Sequence, residues 1–394
     1  MSETMTMIKT RRDGVVDGIV PVMDDMLPAD LDDDVRATLD EYGFDPARFA
    51  DLRARVRSGA LSKAGNVIPG RVEPPQPEDL VRLPEPGEEQ HAAAHAAGSA
   101  VLRAGAVASV VLNGGMATRF GGRVKGVVEA VDGRSFLEIK LGQTAELADR
   151  LGVSVPCAVM TSFATDRPTR EFLQARGVPQ PLFFSQSVSL RLEPDGEIFR
   201  TEDGQVSPYA PGHGDFLRAL RRSGMLNRLR ALGVRHLMVS NVDNLPARLD
   251  PVVLGMHVIS GRPMTAEVVP NTGDVGGAPA RVNGRPMLLE SVRFPAGFDH
   301  ASLPVTNVNT VTFDLEALDR DFDLSWLYVE KAVEGRTAVQ LEQVFHEASA
   351  SLPTTYLQVP VTGPGCRFIP VKTPEDLAAA QDRLRELLAR PALD

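Results

Sequence analysis

Cysteine is scarce in this chain. Its 394 residues include only Cys157 and Cys366, and neither belongs to a Cys-x-x-Cys pair or a cysteine–histidine ligand spacing. The sequence therefore predicts neither a disulfide framework nor a structural zinc site. Such low cysteine usage fits a reducing, intracellular setting.

Long apolar runs are also missing. No run approaches the ~18 residues that a membrane-spanning helix needs, and the N-terminal MSETMTMIKTRRDG lacks the apolar core of a signal peptide. We therefore expect a cytoplasmic protein without a membrane partner.

An excess of positive charge is absent as well. The formal net charge is −10 and the sequence pI is about 5.3, which argues against broad binding to nucleic acids or anionic membranes. Hydrophobic residues make up 43% and charged residues 24% of the chain, as in ordinary globular proteins with a sizeable core. Any phosphate site must therefore be a local basic pocket in an acidic protein.

Three familiar motifs do not occur in the sequence. Without G-x-G-x-x-G, a nicotinamide-dependent dehydrogenase is poorly supported. Without G-x-x-x-x-G-K-[ST], the chain has no P-loop. Without G-x-S-x-G, it has no serine-hydrolase nucleophile elbow.

The order of apolar and amphipathic segments predicts an α/β fold. Residues 1–100 form a helical N-terminal region, and residues 101–394 alternate between strands and helices, which predicts a mixed, mostly parallel central sheet. Residues 276–315 resemble a β-rich insertion. Towards the end of the chain we expect a helix in VQLEQVFHEASA, a strand in CRFIPV, and a closing helix capped by Thr373.

A glycine-rich loop follows the buried strand AVASVV. The stretch LNGGMATRFGGRVKG, residues 112–126, combines glycines with Arg119, Arg123 and Lys125. Glycines let backbone N–H groups turn towards an anion, and a helix beginning there would add its dipole. The same composition also occurs in plain tight turns, so the loop alone leaves both interpretations open.

Other polar residues follow predicted strands or precede helices. Asp243, in SNVDN at the carboxyl end of an apolar strand, is a natural Mg²⁺ ligand, although an Asx turn fits this segment equally well. Lys372 could reach a phosphate at the same edge, although a surface lysine is the more common explanation. His213, in PGHGD before a helix, could contact an anion, although the residues alone favour a capped turn, since caps are more common than binding sites. Weaker candidates for binding a base or a sugar are Gln186, Asn307, Asn309 and Glu342.

Taken together, these segments closely resemble the UTP–glucose-1-phosphate uridylyltransferase (UDP-glucose pyrophosphorylase) family. The matching pieces, in order, are LNGG, SFLEIKLGQ, AVMTSFATD, FSQS, PGHGD, SNVDN, GDVGG, NVNT, VQLE and RFIPVKT. The resemblance implies a GT-A-like Rossmannoid nucleotidyltransferase domain. It also implies the reaction of a nucleoside triphosphate with a sugar 1-phosphate to give a nucleotide sugar and diphosphate.

The resemblance also implies roles for individual residues. Lys125, Lys372 and Asp243 are implied to be catalytic, and Asp243 also to hold Mg²⁺. The sugar phosphate and sugar are implied to contact His213, Asn309 and Glu342. The implied nucleotide-binding set is Leu112, Asn113, Gly114, Gly115, Lys125, Gln186, Gly212 and Asn241.

Several features depart from the family pattern. The glycine loop reads GGMATRFGG, the lysine expected after Asp274-Val275 is missing, and there is no carboxyl-terminal β-helix. UTP with glucose 1-phosphate is the best family-based prediction. GTP with valienol 1-phosphate, as in aminocyclitol antibiotic biosynthesis, is the alternative, and a non-catalytic nucleotide-sugar sensor is a second one. We expect a monomer or a small homo-oligomer.

Overall fold

The structure is a computed structural model that describes residues 27–28, 31–273 and 276–390. The first part of the predicted helical N-terminal region, residues 1–26, lies outside the described residues. So do Asp274 and Val275, where the sequence departs from the family pattern.

The described residues form nine α-helices, many of which have sequence-encoded ends. Ser135 and Thr373 each form a capping box with the acid three residues later, as the sequence predicts. In chain order the helices are α1 (Asp33–Glu41), α2 (Pro46–Arg57), α3 (Glu89–Arg103), α4 (Phe136–Leu151), α5 (Asp166–Ala175), α6 (Phe216–Arg222), α7 (Met225–Ala231), α8 (Pro251–Ser260) and α9 (Pro374–Leu388).

An eight-stranded sheet forms the centre of the molecule. Its strands, in chain order, are β1 (Leu80–Arg82), β2 (Val107–Leu112), β3 (Cys157–Thr161), β4 (Leu182–Ser185), β5 (His236–Asn241), β6 (Met264–Pro270), β7 (Val305–Asp314) and β8 (Thr354–Gln358). Their spatial order is β1-β8-β6-β7-β5-β2-β3-β4. Only β7 runs antiparallel to its neighbours within this sheet, so the predicted mixed, mostly parallel sheet is confirmed.

Apolar residues on both faces of the sheet are buried beneath helices. Along β2, Val110 packs on the same side as Phe216 of α6, whereas Val111 packs on the side of Phe136 and Leu377 from α4 and α9. All six residues of β2 are buried. Apart from Ser109 the strand is apolar, as expected for a parallel strand covered on both faces.

Shorter strands lie outside the central sheet. Val72–Glu73 pairs with Ala278–Val282, which in turn pairs with Arg285–Leu289. The remaining strands form two-stranded pairs: Ser189–Leu190 with Pro208–Tyr209, Leu327–Val333 with Arg336–Glu342, Met116–Ala117 with Arg123–Val124, and Glu129–Val131 with Arg134–Ser135.

Three predicted elements need correction. The VQLEQVFHEASA segment is not an α-helix, because Arg336–Glu342 pairs with Leu327–Val333 as a hairpin and a 3₁₀-helix follows at Phe345–Ala350. The CRFIPV segment is not assigned to any strand. The N-terminal region is not purely helical either, since it contributes β1 to the central sheet.

Helices α3 and α8 approach each other closely. A Cβ on Gly98 would lie 1.8 Å from the Pro251 carbonyl oxygen, and one on Gly255 would lie 1.7 Å from that of Ala94. Only glycine at both positions lets the two backbones come into contact. None of the helices in the described residues combines the length and the apolar character that a membrane span requires.

Candidate active site

Four parallel strands end at the same edge of the sheet. Leu112, the last residue of β2, pairs with Asn241 at the end of β5 and with Met160 in β3. Thr161 at the end of β3 pairs with Ser185 at the end of β4. The glycine loop, Gln186 and Asp243 therefore emerge together, as ligand-binding loops do in open α/β sheets.

The glycine-rich loop forms a hairpin and does not lead into a helix. Met116 pairs with Val124, and the Lys125 amide donates a 3.4 Å hydrogen bond to the Gly115 carbonyl. The next α-helix begins only at Phe136. The predicted helix dipole at this loop was therefore wrong, and any anion bound here depends on backbone amides and cationic side chains.

Asn113 turns its side chain into the protein. Its Nδ2 donates to Thr169 Oγ1 at 3.0 Å, and its Oδ1 accepts from the Gly126 amide at 3.1 Å. The side chain is 1% exposed. With both polar side-chain atoms used internally, Asn113 holds the turn that carries Lys125.

Lys125 lies at the centre of this edge. Its ammonium donates to the Asp243 carboxylate and, at 2.9 Å, to the carbonyl of Val371. The two ion-paired side chains are 23% and 22% exposed. The fold thus brings together residues separated by more than a hundred positions, as the resemblance implies.

Lys372 is exposed and immediately follows the residue that contacts Lys125. The predicted strand CRFIPV, which would have led into Lys372, does not form. Instead the Lys372 amide donates a 2.8 Å hydrogen bond to Asp376, so it belongs to the capped beginning of α9. The capping network fixes the backbone of Lys372 beside the site.

Gln186 lies directly over the glycine loop. A Cβ on Gly114 would lie 1.9 Å from the Gln186 amide nitrogen, so a larger residue at this position would displace the Gln186 side chain. Gln186 is 4% exposed, and its buried Oε1 finds no hydrogen-bond partner among the described residues. A buried amide oxygen left unpaired beside a loop of this kind is suited to receive a ligand N–H. Gly115, by contrast, borders open space.

The PGHGD loop packs on the end of the Arg336–Glu342 strand. The Gly214 amide donates to the Gln343 carbonyl at 2.8 Å, and the Gln343 amide donates back to the Pro211 carbonyl. Gly212 has φ +86°, and a Cβ there would lie 3.4 Å from that of Glu342. The predicted residues Gly212 and Glu342 are therefore neighbours, and the carboxylate of Glu342 pairs with Lys331 at 3.5 Å.

His213 is held in its neutral form. Burial, together with the neighbouring His346, lowers the pKa of His213 to about 4, and burial lowers that of His346 to about 4 as well. His213 Nδ1 accepts a hydrogen bond from the Phe345 amide at 3.4 Å. Nε2 is then the nitrogen that carries the proton, so His213 would offer a phosphate a neutral donor.

Asn241 and Asn309 contact each other. Asn309 Nδ2 donates to Asn241 Oδ1 at 2.9 Å, which joins the ends of the predicted nucleotide and sugar sites. Asn309 has φ +57°, within a stretch of β7 where the pairing with β6 shifts register. Asparagine tolerates this left-handed backbone better than most residues, and such outliers cluster at functional sites.

Sequence reasoning missed Lys140 and Asp215. Lys140 is 3% exposed. Its Nζ donates to Ser240 Oγ at 3.1 Å and to the Ala247 carbonyl at 2.5 Å. Asp215, 2% exposed, accepts from the Ser187 amide at 2.6 Å and so ties FSQS to PGHGD. Lys140 supports β5 just before Asn241. A lysine at an interior position of the apolar face of α4 was the available clue.

Comparisons with known proteins agree with this arrangement. A family model described as UTP–glucose-1-phosphate uridylyltransferase matches residues 48–390. The enzymes of that name from Hordeum vulgare and Solanum tuberosum are each 31% identical to this chain over 70% of its length. The chain spans 62% and 61% of those proteins, which is less than two thirds of their length.

Solved structures show the same fold. A UDP-glucose phosphorylase from Trypanosoma brucei matches with a TM-score of 0.71 and 26% identity, over 87% of this chain and 78% of that one. A UDP-glucose pyrophosphorylase from Leishmania major in complex with UDP-glucose has a TM-score of 0.70 at 23% identity, over 88% of this chain and 77% of that one. The sheet, the loops at its edge and these matches agree: the chain belongs to the UTP–glucose-1-phosphate uridylyltransferase family.

Proposed function

We propose that this chain transfers a uridylyl group from UTP to glucose 1-phosphate, releasing diphosphate and forming UDP-glucose. The observation that carries the proposal is the convergence of Lys125, Asp243 and the Gly114–Gln186 contact at one sheet edge. The names of the related proteins support UTP and glucose 1-phosphate as the substrates.

The reaction needs no protein nucleophile. An ionised phosphate oxygen of the sugar phosphate attacks the α-phosphorus in line, and the bond to the diphosphate leaving group breaks. The attacking oxygen is already deprotonated, so no strong general base is needed. The protein must instead bring two polyanions together and stabilise the charge that develops on the leaving oxygen.

Cationic side chains supply part of this stabilisation. We place the ammonium of Lys125 against the triphosphate and that of Lys372 against the transferring phosphate. In the structure Lys125 is paired with Asp243. Nucleotide phosphates would compete for the ammonium, and the Asp243 carboxylate would then be released from its partner.

Asp243 fits a magnesium ion. Mg²⁺ commonly takes one or two carboxylates together with substrate phosphates and water, and Asp243 lies where those phosphates would arrive. When bound, Mg²⁺ would screen the phosphates and stabilise the charge on the leaving diphosphate. Asn241, joined to Asn309, would position the ribose at the same edge.

The Gln186 amide would face the base. Its unpaired Oε1 could accept the imino N–H of uracil. Guanine also presents an N–H donor, so this contact alone does not separate UTP from GTP. His213, as a neutral donor, would bind the sugar phosphate, and Glu342 and Asn309 would contact the sugar.

Diphosphate release tests the proposal. We expect turnover with UTP and glucose 1-phosphate and expect it to exceed every other pairing of UTP, GTP, ATP, CTP or dTTP with glucose 1-phosphate or valienol 1-phosphate. Preferred turnover of GTP with valienol 1-phosphate would reject the substrates but keep the reaction. Nucleotide-sugar binding without release in any pairing would indicate a sensor instead.

Variants at the ion pair test the assigned roles. Lys125→Met should lower kcat/KM by about 100-fold or more, the size expected when a preorganised charge is removed from a transition state. Asp243→Asn should act similarly and weaken the dependence on Mg²⁺. Lys63→Met is the matched control, because Lys63 pairs with Glu330 on the surface and is 76% exposed. Full activity in both ion-pair variants would overturn these roles.

A further inference from the structure

A second cluster of ligand-type side chains lies at the opposite end of β5. It consists of His236, His257 and Asp314, whose donor atoms all lie within 4.8 Å of one another. His236 begins β5, Asp314 ends β7, and the two are paired across the sheet. Since Asn241 ends β5, five residues at ~3.3 Å each place the cluster about 16 Å from the candidate active site.

The carboxylate of Asp314 lies close to both imidazoles. Asp314 Oδ1 lies 3.0 Å from His236 Nδ1 and 3.2 Å from His257 Nε2. In a tetrahedral zinc site with bonds of about 2.0–2.1 Å, ligand atoms are roughly 3.3 Å apart. The separations from the carboxylate oxygen are therefore close to those of a metal site.

Both imidazoles turn a ring nitrogen towards the Asp314 carboxylate. His257 is 1% exposed, and its Nδ1 lies 2.9 Å from Thr265 Oγ1. Because a carboxylate oxygen can only accept, Nε2 carries the proton in the metal-free protein and donates to Asp314 Oδ1 at 3.2 Å, while Nδ1 accepts from Thr265. A bound metal would displace the Nε2 proton, and an Nδ1–H could then donate to Thr265 Oγ1, an arrangement common around zinc-bound histidines. His236 Nδ1 is buried and faces the same carboxylate oxygen at 3.0 Å, and no residue that the structure describes offers it a well-aligned hydrogen bond, so a metal ion there would give it a partner.

We propose that His236, His257 and Asp314 bind one zinc ion that joins β5, β7 and α8. Imidazole nitrogen together with carboxylate oxygen suits Zn²⁺, whereas Mg²⁺ prefers oxygen ligands. The Asp314 side chain is 41% exposed, so water can complete a fourth position. Among the described residues this is the only group of three such side chains close enough to hold an ion.

Cobalt binding tests the site directly. Full-length protein treated with a chelator should bind one Co²⁺, show the visible absorption of a four-coordinate ion, and lose that absorption when Zn²⁺ is added. Millimolar Mg²⁺ should not displace the ion. Titration calorimetry with Zn²⁺ should give one tight site, and saturating Zn²⁺ should raise the Tm by about 1 °C or more.

Two variants locate the site. His236→Gln and Asp314→Asn should each weaken Zn²⁺ binding by at least about 100-fold, because losing a group that merely hydrogen-bonds a ligand already costs roughly 10–100-fold. Both should also abolish the Zn²⁺-induced rise in Tm. Circular dichroism on the metal-free variants checks that they fold.

The control removes a different histidine pair. His91 and His95 lie four residues apart on α3, with ring centroids 6.4 Å apart, and could bind zinc weakly. The double variant His91→Ala/His95→Ala should keep the tight site unchanged. Loss of tight binding in this control, unchanged binding in His236→Gln, or no binding by the wild-type protein would each overturn the proposal.

Discussion

The buried ion pair between Glu267 and Arg367 gives a quantitative test of how the site is supported. Two hydrogen bonds of 2.6 Å join the carboxylate to the guanidinium, and the two side chains are 2% and 4% exposed. Arg367 also donates to the Arg248 carbonyl at 3.0 Å. These contacts anchor the CRFIPV segment, which leads to Lys372, to β6.

Glu267→Gln removes the charge and nearly preserves the shape. It leaves the guanidinium buried without a counter-charge, which costs about 3–5 kcal/mol. For 394 residues, an unfolding entropy of roughly 2.1 cal/mol/K per residue gives about 0.8 kcal/mol/K, so we expect the Tm to fall by about 4–6 °C.

Differential scanning calorimetry provides the measurement. Glu267→Leu/Arg367→Met should recover most of the loss, because a hydrophobic replacement of a buried pair is often neutral. The matched control is Arg385→Met, which breaks the exposed pair with Asp132 and should leave the Tm unchanged. A Tm within about 1 °C of wild type in Glu267→Gln would refute the reasoning.

Two further predictions concern the loop and the buried lysine. Gly114→Ala places a methyl group 1.9 Å from the Gln186 amide nitrogen, so the KM for UTP should rise about tenfold or more in steady-state assays, with the Tm nearly unchanged. An unchanged KM would show that Gln186 does not contact the base. Burial lowers the pKa of Lys140 from 10.5 to about 7. Between these two pH values the unfolded chain binds one more proton than the folded protein, so the free energy of unfolding should rise with pH. Lys140→Met should flatten that rise in urea unfolding measured from pH 7 to 10; an identical pH dependence in both proteins would contradict the assignment.

Some features of the candidate site were predictable because they depend on local sequence. The apolar strands before LNGG and SNVDN and the capping boxes at Ser135 and Thr373 are encoded by neighbouring residues. Parallel strands then bring their carboxyl ends to one edge, so the meeting of Lys125 with Asp243 followed from the predicted topology.

Local patterns failed where distant partners decide the conformation. VQLEQVF reads equally well as a helix or a strand, and the hairpin with Leu327–Val333 selects the strand. The glycine loop closes as a hairpin because Met116 and Val124 pair across it. CRFIPV has strand-like composition, but within the part of the chain that the structure describes it pairs with no strand, and a side-chain ion pair anchors it instead.

By itself the sequence determined the fold class, the loops at the sheet edge and the family to which the chain belongs. Only the tertiary structure decided the direction of individual side chains: Asn113 turns inward, Asn241 meets Asn309, and His236 meets His257 and Asp314. The physical reason is that periodicity and capping depend on residues within one or two turns. Convergence of side chains depends on strand order and register, which bring together positions tens to hundreds of residues apart.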